Sequence, residues 1–406
     1  MTAPAAATAG WHAEELVYCA NVHPSDDLRG VTRALYDFIA PVARRRCVGW
    51  AGAGLWLNGT VADQLSDKET LAQFRAALHD AGVRLFTLNG FPYGDFHTDS
   101  VKAQVYRPDW AEPVRKTYTL QLAEILAACL PPETAEGTIS TLPLGYRPTW
   151  SPAKQDAALR QLCETAEQLA ELKVRTGRSI RVCLEMEPGC ILESTTEAVE
   201  LFEGLLPAAA ARDGISIDCI RAHLGICFDV CHQAVMFEDV DLSLATLHDA
   251  GIVVGKIQIS SALEVAHPID PEVSRLIEQF AEPKYLHQVR CRDDEDRLHG
   301  VMDLPEALHG DFTRHHPWRI HFHVPVQTQQ LFTGALGTTQ RAIEKVFDFL
   351  REHSEQMHPH LEVETYTWGV LPESLRPDND AGLIDGLKAE LQWLQDQLAA
   401  RGLILT

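Results

Sequence analysis

Basic residues are scarce in this 406-residue chain: 35 lysines and arginines stand against 57 aspartates and glutamates, a formal net charge of −22. A nucleic-acid partner would need a basic face to neutralise phosphates. The longest basic cluster, Arg44-Arg45-Arg46, closes a predicted helix, where cations suit the dipole. No nucleic acid is expected as a partner. Long apolar runs are also missing, since none approaches the roughly 20 residues of a membrane-spanning helix, so no direct membrane insertion is expected. No lysine or arginine precedes Arg29, and the N-terminus has no strong apolar core. Segment 1–14 therefore reads as a disordered lead-in, not a signal peptide, and the chain as cytoplasmic.

Two further absences narrow the fold. The ten cysteines include no CxxC pair and are dispersed from Cys19 to Cys291, which argues for buried, reduced thiols over disulfides or a structural zinc site. The first predicted strand lacks the glycine-rich turn of a dinucleotide-binding sheet. It runs instead into Cys19-Ala20-Asn21-Val22-His23-Pro24, which disfavours a doubly wound sheet.

What is present is alternation. Hydrophobic residues make up 46% and charged residues 23%, the proportions of an ordinary folded domain. Strand-like runs fall at 16–22, 53–57, 83–89, 138–144, 179–187, 223–230, 252–260 and 361–367. Amphipathic helical stretches lie at 26–46, 67–81, 113–130, 152–175, 195–212, 241–250, 338–353 and 381–400. Eight strands, each followed by a helix or a long insert, predict an α/β fold of the (β/α)8 TIM-barrel type over a single 1–406 domain. Residues 261–337 are too long for a simple connection and are read as an insertion at the barrel mouth. Segment 319–326 within them is strand-like, and the insertion reading is preferred because it leaves eight barrel strands.

A barrel places its site at the carboxyl ends of its strands. Period two aligns Cys183, Glu185 and Glu187 on one strand, Cys227 and Asp229 on the next, Lys256, Gln258 and Ser260 on a third, and Glu362 and Glu364 on the last. Carboxylates inside apolar strands are costly unless paired or bound to a cation. Few basic residues share these strands, so Glu185, Asp229 and Glu364 suit a divalent metal ion, with Lys256 the one available cation. His321 and His323 align on one face of their strand, a pattern shared by structural pairs and metal clamps.

These motifs, an LExxxG, an FDVCH and a late ET, resemble the xylose isomerase-like barrel superfamily. That superfamily includes sugar isomerases, ketose epimerases and zinc-dependent abasic-site endonucleases. The resemblance implies Glu185, Asp229 and Glu364 as metal ligands, with Gln258 where a histidine usually stands and His232 matching a histidine of the endonuclease branch. Gln258 favours magnesium or manganese over zinc, or no tightly held metal. The strings YCANVHP, LNGFPYGDFH, VKAQVYRPDW, GTISTLPLGY, KIQISSAL, HFHVPV and ETYTWGVLP resemble the EboE family of Ebo-cluster metabolite traffic proteins over nearly the whole chain. That implies a small-molecule secondary metabolite as ligand and other Ebo-cluster proteins, including a prenyltransferase-like membrane protein, as partners.

Three functions follow. The first is metal-assisted isomerase- or epimerase-like proton transfer, with Glu185 or Glu364 moving the proton and Lys256 steadying an oxyanion. The second is a non-catalytic carrier. The third, abasic-site endonuclease activity, fails on charge. Asn21, His23, Asn89, Tyr93, His97, His321 and His323 are the expected substrate-binding residues.

Overall fold

The computed structural model describes residues 10–94, 96–98 and 100–405. Eight parallel strands form the central sheet: β1 (Val17–Tyr18), β2 (Ala51–Trp56), β3 (Val83–Asn89), β4 (Glu136–Thr141), β5 (Ser179–Glu185), β6 (Leu224–Asp229), β7 (Val254–Ile259) and β8 (His360–Val363). Their order is β1-β8-β7-β6-β5-β4-β3-β2, and a parallel bridge between Cys19 and Gly54 closes the ring. The fold is a (β/α)8 barrel with a late insertion, as the alternation predicts. Each predicted strand corresponds to a barrel strand, although β1 keeps only two ladder residues before a 3-10 turn at Ala20–Val22.

Local sequence sets the helix limits. In Pro152–Thr176, the Ser151 hydroxyl accepts from Lys154 N, proline occupies the first turn, and Gly177 ends the helix at φ 72°. Gln340–His353 buries Ile343, Val346, Phe347 and Leu350 on the barrel and exposes its charged positions. The lead-in expected over 1–14 is ordered from Gly10 onward. Trp11–His12 pairs with Ile404–Leu405, and the buried Trp11 ring stacks on His358 and donates to Pro359 O. An indole with that much apolar surface and a satisfied N–H pins the segment. Residues 1–9 lie outside the described residues.

The insertion builds a second, antiparallel sheet of six short strands. Trp318–Ile320 belongs to it, pairing with Leu263–Val265 and Val289–Arg292, and is not a barrel strand. Beyond Ile320 the chain leaves the ladder and crosses the barrel mouth, held by Val324 N to Ser261 O (2.9 Å). This crossing delivers His321 and His323 to the carboxyl ends of β5, β6 and β8. No cysteine is paired. Among the described residues no helix is long and apolar enough to cross a membrane.

Candidate metal centre at the barrel mouth

Glu185 ends β5 and Asp229 ends β6, while Glu364 follows β8 by one residue. All three are buried, and each offers a carboxylate oxygen within 4.8 Å of the others. Their supports differ. Asp229 caps the short helix Val230–Val235: its Oδ1 accepts from His232 N and from Ser260 Oγ, both at 2.8 Å. Its Oδ2 has no hydrogen-bond partner. Glu364 Oε1 accepts from Asn21 Nδ2 (2.8 Å) and Asn89 Nδ2 (3.3 Å). Glu185 Oε2 is unpartnered.

Electrostatically the trio is unfavourable as it stands. Burial, then Glu364 and Asp229, holds the Glu185 carboxyl well above its ordinary range. Burial raises Asp229 despite the opposing pull of His323. Burial, Asp229 and Glu362 push Glu364 up to about 8. Three crowded carboxylates of this kind call for a cation or for protons.

Beside them stands an imidazole group. His232 Nδ1 lies 2.8 Å from Met186 O, His321 Nδ1 2.6 Å from Gln288 Oε1, and His323 Nδ1 2.7 Å from Glu364 O. Carbonyl oxygens only accept, so each Nδ1 carries the hydrogen and each Nε2 presents a lone pair. Burial keeps the rings neutral, lowering His232 to about 3 and His323 to about 4, with His321 also well below normal. His232 Nε2 and His321 Nε2 face each other at 3.1 Å. Two lone pairs so placed repel unless a cation lies between or beside them. Asp229, His232 and His323 form a second set with ligand atoms within 4.8 Å of one another, and Glu187, His232 and His321 a third.

The donors therefore fit divalent metal. Buried, unpartnered Asn21 Oδ1, Glu185 Oε2, Asp229 Oδ2 and His323 Nε2 gather at the mouth, with both amide atoms of Gln258 beneath them. Oxygen donors of the trio suit a hard ion and imidazoles a softer one. Several groups here could hold a metal ion, and their donors leave its identity open between magnesium, manganese and zinc.

Of the expected substrate residues, Asn21, Asn89, His321 and His323 line the mouth cavity. His23, Tyr93 and His97 do not. His23 stacks on Phe38 at 4.2 Å and bonds Tyr18 OH, Tyr93 packs edge-on to Tyr118, and His97 packs on Trp56. Each is drawn aside by an aromatic neighbour. Lys256 also lies away from the cavity, inside the barrel, with Nζ 2.5 Å from Glu362 Oε2. Burial opposes its charge, but Glu362 more than offsets this, so it stays protonated and committed to that pair. A role steadying a substrate oxyanion does not suit that geometry. Gln258 sits between this pair and the trio, adjacent to Asp229 and Glu362 in the ladders.

Two residues, one lining the cavity and one behind it, carry chemistry that the sequence reading did not assign. Glu187 accepts from Tyr106 OH (2.8 Å) and Gln288 Nε2 (3.3 Å), and burial, resisted by these bonds, raises its pKa to about 7. Strand alternation already puts Glu187 on the face of Glu185. Nothing in the sequence marks Gln288, which reaches the site through the insertion.

No protein-family model matches the chain, and no curated protein does. Among solved structures, it is similar to a xylose isomerase domain protein from Planctomyces limnophilus (16% identity, 89% of this chain and 92% of that one, TM-score 0.49). It is also similar to the IOLI protein with a binding zinc atom (11%, 95% and 98%, TM-score 0.48) and to a probable 3-DHS dehydratase from Bacillus anthracis (15%, 94% and 98%, TM-score 0.44). The barrel assignment rests on the closed parallel sheet, not on these likenesses.

Proposed function

We propose that this chain is a metal-dependent enzyme that moves a proton next to a carbonyl or hydroxyl group of a small metabolite, in the manner of an isomerase or epimerase. The observation that carries this reading is the meeting of unpartnered carboxylate and imidazole donors in one buried mouth. Glu185, Asp229 and Glu364, with Gln258 beneath, would hold one divalent ion. Asp229, His232 and His323, with His321 alongside, would hold a second. Divalent metal at this position supplies Lewis-acid polarisation of a substrate oxygen.

Glu187 is the best-placed proton carrier. It lines the cavity, and a carboxyl near pKa 7 can both take and return a proton at neutral pH. Tyr106 and Gln288 fix its Oε1. Asn21 and Asn89 orient Glu364, and the buried carbonyls behind the histidines fix their tautomers. The EboE-like strings support a secondary metabolite as substrate and Ebo-cluster partners including the membrane prenyltransferase-like protein.

Elemental analysis of the purified chain tests the reading. Two equivalents of divalent metal are expected in the parent and none in Asp229→Ala, since Asp229 belongs to both groups. In deuterium oxide, α-hydroxycarbonyl compounds should gain deuterium α to the carbonyl with the parent and not with Glu187→Gln. Metal-free parent protein, or exchange undiminished in Glu187→Gln, would overturn the assignment.

A further inference from the structure

The mouth cavity has two tiers. Below are the carboxylates and imidazoles; above is a roof of aromatic rings contributed by separate loops: Phe91, Phe96, Tyr106, Tyr285 and Tyr366. The rings touch one another, Phe96 and Tyr285 at 4.8 Å, Tyr285 and Tyr366 at 5.0 Å, and Phe96 and Tyr366 at 5.5 Å, and Tyr366 covers His323 at 4.7 Å. Their hydroxyls are largely committed. Tyr106 OH donates to Glu187 and accepts from Gln288, and Tyr285 OH donates to Phe96 O (3.4 Å).

The cavity wall holds one basic side chain among the described residues, Lys102. Its Nζ is bound to Asp303 Oδ2 (2.6 Å) and Tyr285 O (2.7 Å), tying the loop after β3 to the insertion. A substrate that sets its hydroxyl–carbonyl end on the metal floor would turn a phosphate at its other end towards the roof, where the wall offers no free ammonium or guanidinium among the described residues. A polyol would bring hydroxyls to a roof with few partners, and each hydroxyl left unpaired costs binding energy.

We propose that the substrate is uncharged and amphiphilic, with a hydroxyl–carbonyl end for the metal floor and a flat apolar or aromatic body, not a sugar phosphate or free polyol. This rests on the metal-site reading above and narrows it. The cavity is partly open to solvent, and its space is about 70 Å³, less than half of the roughly 150 Å³ that admits benzene. Seating the body therefore requires the roof rings to part. Ring contacts within the roof are then exchanged for ring contacts with the ligand, which limits the cost of opening.

Calorimetric titration of the metal-loaded full chain tests this with three probes: 2-hydroxyacetophenone, dihydroxyacetone and dihydroxyacetone phosphate. The phenyl compound should bind at least about tenfold more tightly than dihydroxyacetone, and the phosphate at least about tenfold more weakly, margins in keeping with ring stacking and with an unpaired charge. In Phe96→Ala/Tyr366→Ala the phenyl preference should disappear while dihydroxyacetone binding persists, which also reports that the site has folded. Tightest binding by the phosphate, tighter binding by fructose than by the phenyl compound, a phenyl preference that survives the double substitution, or no binding of the phenyl compound would overturn the proposal. The same titrations after chelation separate the two readings. Dihydroxyacetone binding that is undiminished without metal defeats the metal-centred function, and a phenyl preference that persists beside it leaves the amphiphilic substrate standing.

Discussion

Replacing Glu364 by glutamine should stabilise the metal-free protein at alkaline pH and destabilise it, relative to the parent, once metal is added. In the metal-free parent, burial and the neighbouring Asp229 and Glu362 raise Glu364 to about 8, whereas in the unfolded chain it titrates near its ordinary 4.5. Between these values the folded state holds a proton that the unfolded state has lost. Stability is therefore complete below about pH 4.5 and falls as pH climbs towards 8, by about 1.4 kcal/mol per pH unit. At pH 7.5 the upper bound is about 4 kcal/mol, and sharing of the proton among neighbouring carboxylates halves this to about 2 kcal/mol. Glutamine carries no such penalty, and its carbonyl oxygen can still accept from Asn21 and Asn89. With unfolding entropy near 2.1 cal/mol/K per residue, about 2 kcal/mol corresponds to a gain of about 2–3 °C in Tm for a chain of this length. Added metal at about 100 times its Kd would stabilise the parent by about 2.7 kcal/mol and the variant much less, which reverses the order. Calorimetric melts of chelated and metal-loaded protein at pH 4.5, 6 and 7.5 measure both effects. Equal metal-induced shifts in parent and variant, or a metal-free variant that melts below the parent at pH 7.5, would refute the reasoning.

Three other outcomes can be measured independently. Substituting both His232 and His321 by alanine should halve the bound metal and remove the visible absorption of an imidazole-ligated cobalt ion from cobalt-loaded protein, leaving one equivalent at the carboxylates; unchanged stoichiometry would count against a second position. Gly54→Ala should destabilise the fold by about 1–3 kcal/mol in urea, because its methyl would sit on top of Glu362 Oε1 inside the closed barrel and displace the carboxylate paired with Lys256; a midpoint equal to the parent's would contradict this packing. Lys256→Met should cost about 3–5 kcal/mol by stranding Glu362, and the double change Lys256→Met/Glu362→Leu should recover most of it; a double variant no better than the single would show that the pair is not an isolated charge balance.

The barrel and the carboxylate trio were legible because both obey short periods. Alternation at β5 and β6 puts Glu185 and Asp229 at strand ends, where the fold collects its chemistry. Partner choice was less visible. Lys256 shares a face with Gln258, which suggested the mouth, but the β7–β8 register sets Gln258 opposite Glu362, and the lysine's charge is met there inside the barrel. Tyr93 and His97 occupy an aromatic-rich loop whose direction no period fixes, and their rings follow Tyr118 and Trp56 instead of the site. Gln288 depends on the inserted sheet, where Val289 pairs with Ile320 and brings the amide to His321. Such long-range register has no counterpart in local sequence.

The interior of this barrel also argues for a cation at its mouth. Barrel interiors are usually filled by branched apolar layers. Here Thr87, Thr138, Ser140, Lys256, Gln258 and Glu362 are all buried in the barrel strands. Lys256 answers Glu362, which leaves Glu185, Asp229 and Glu364 above them without an ammonium or guanidinium of their own among the described residues. Asparagines and a serine support these carboxylates, but neutral donors cannot cancel three charges. Protons held by the raised Glu185 and Glu364 relieve the strain up to neutral pH; a divalent ion would relieve it too and would also satisfy the opposed imidazole lone pairs, which protonating the carboxylates would leave facing each other. Carboxylates and histidines thus favour the same occupant through different physics, and a bound cation would meet both.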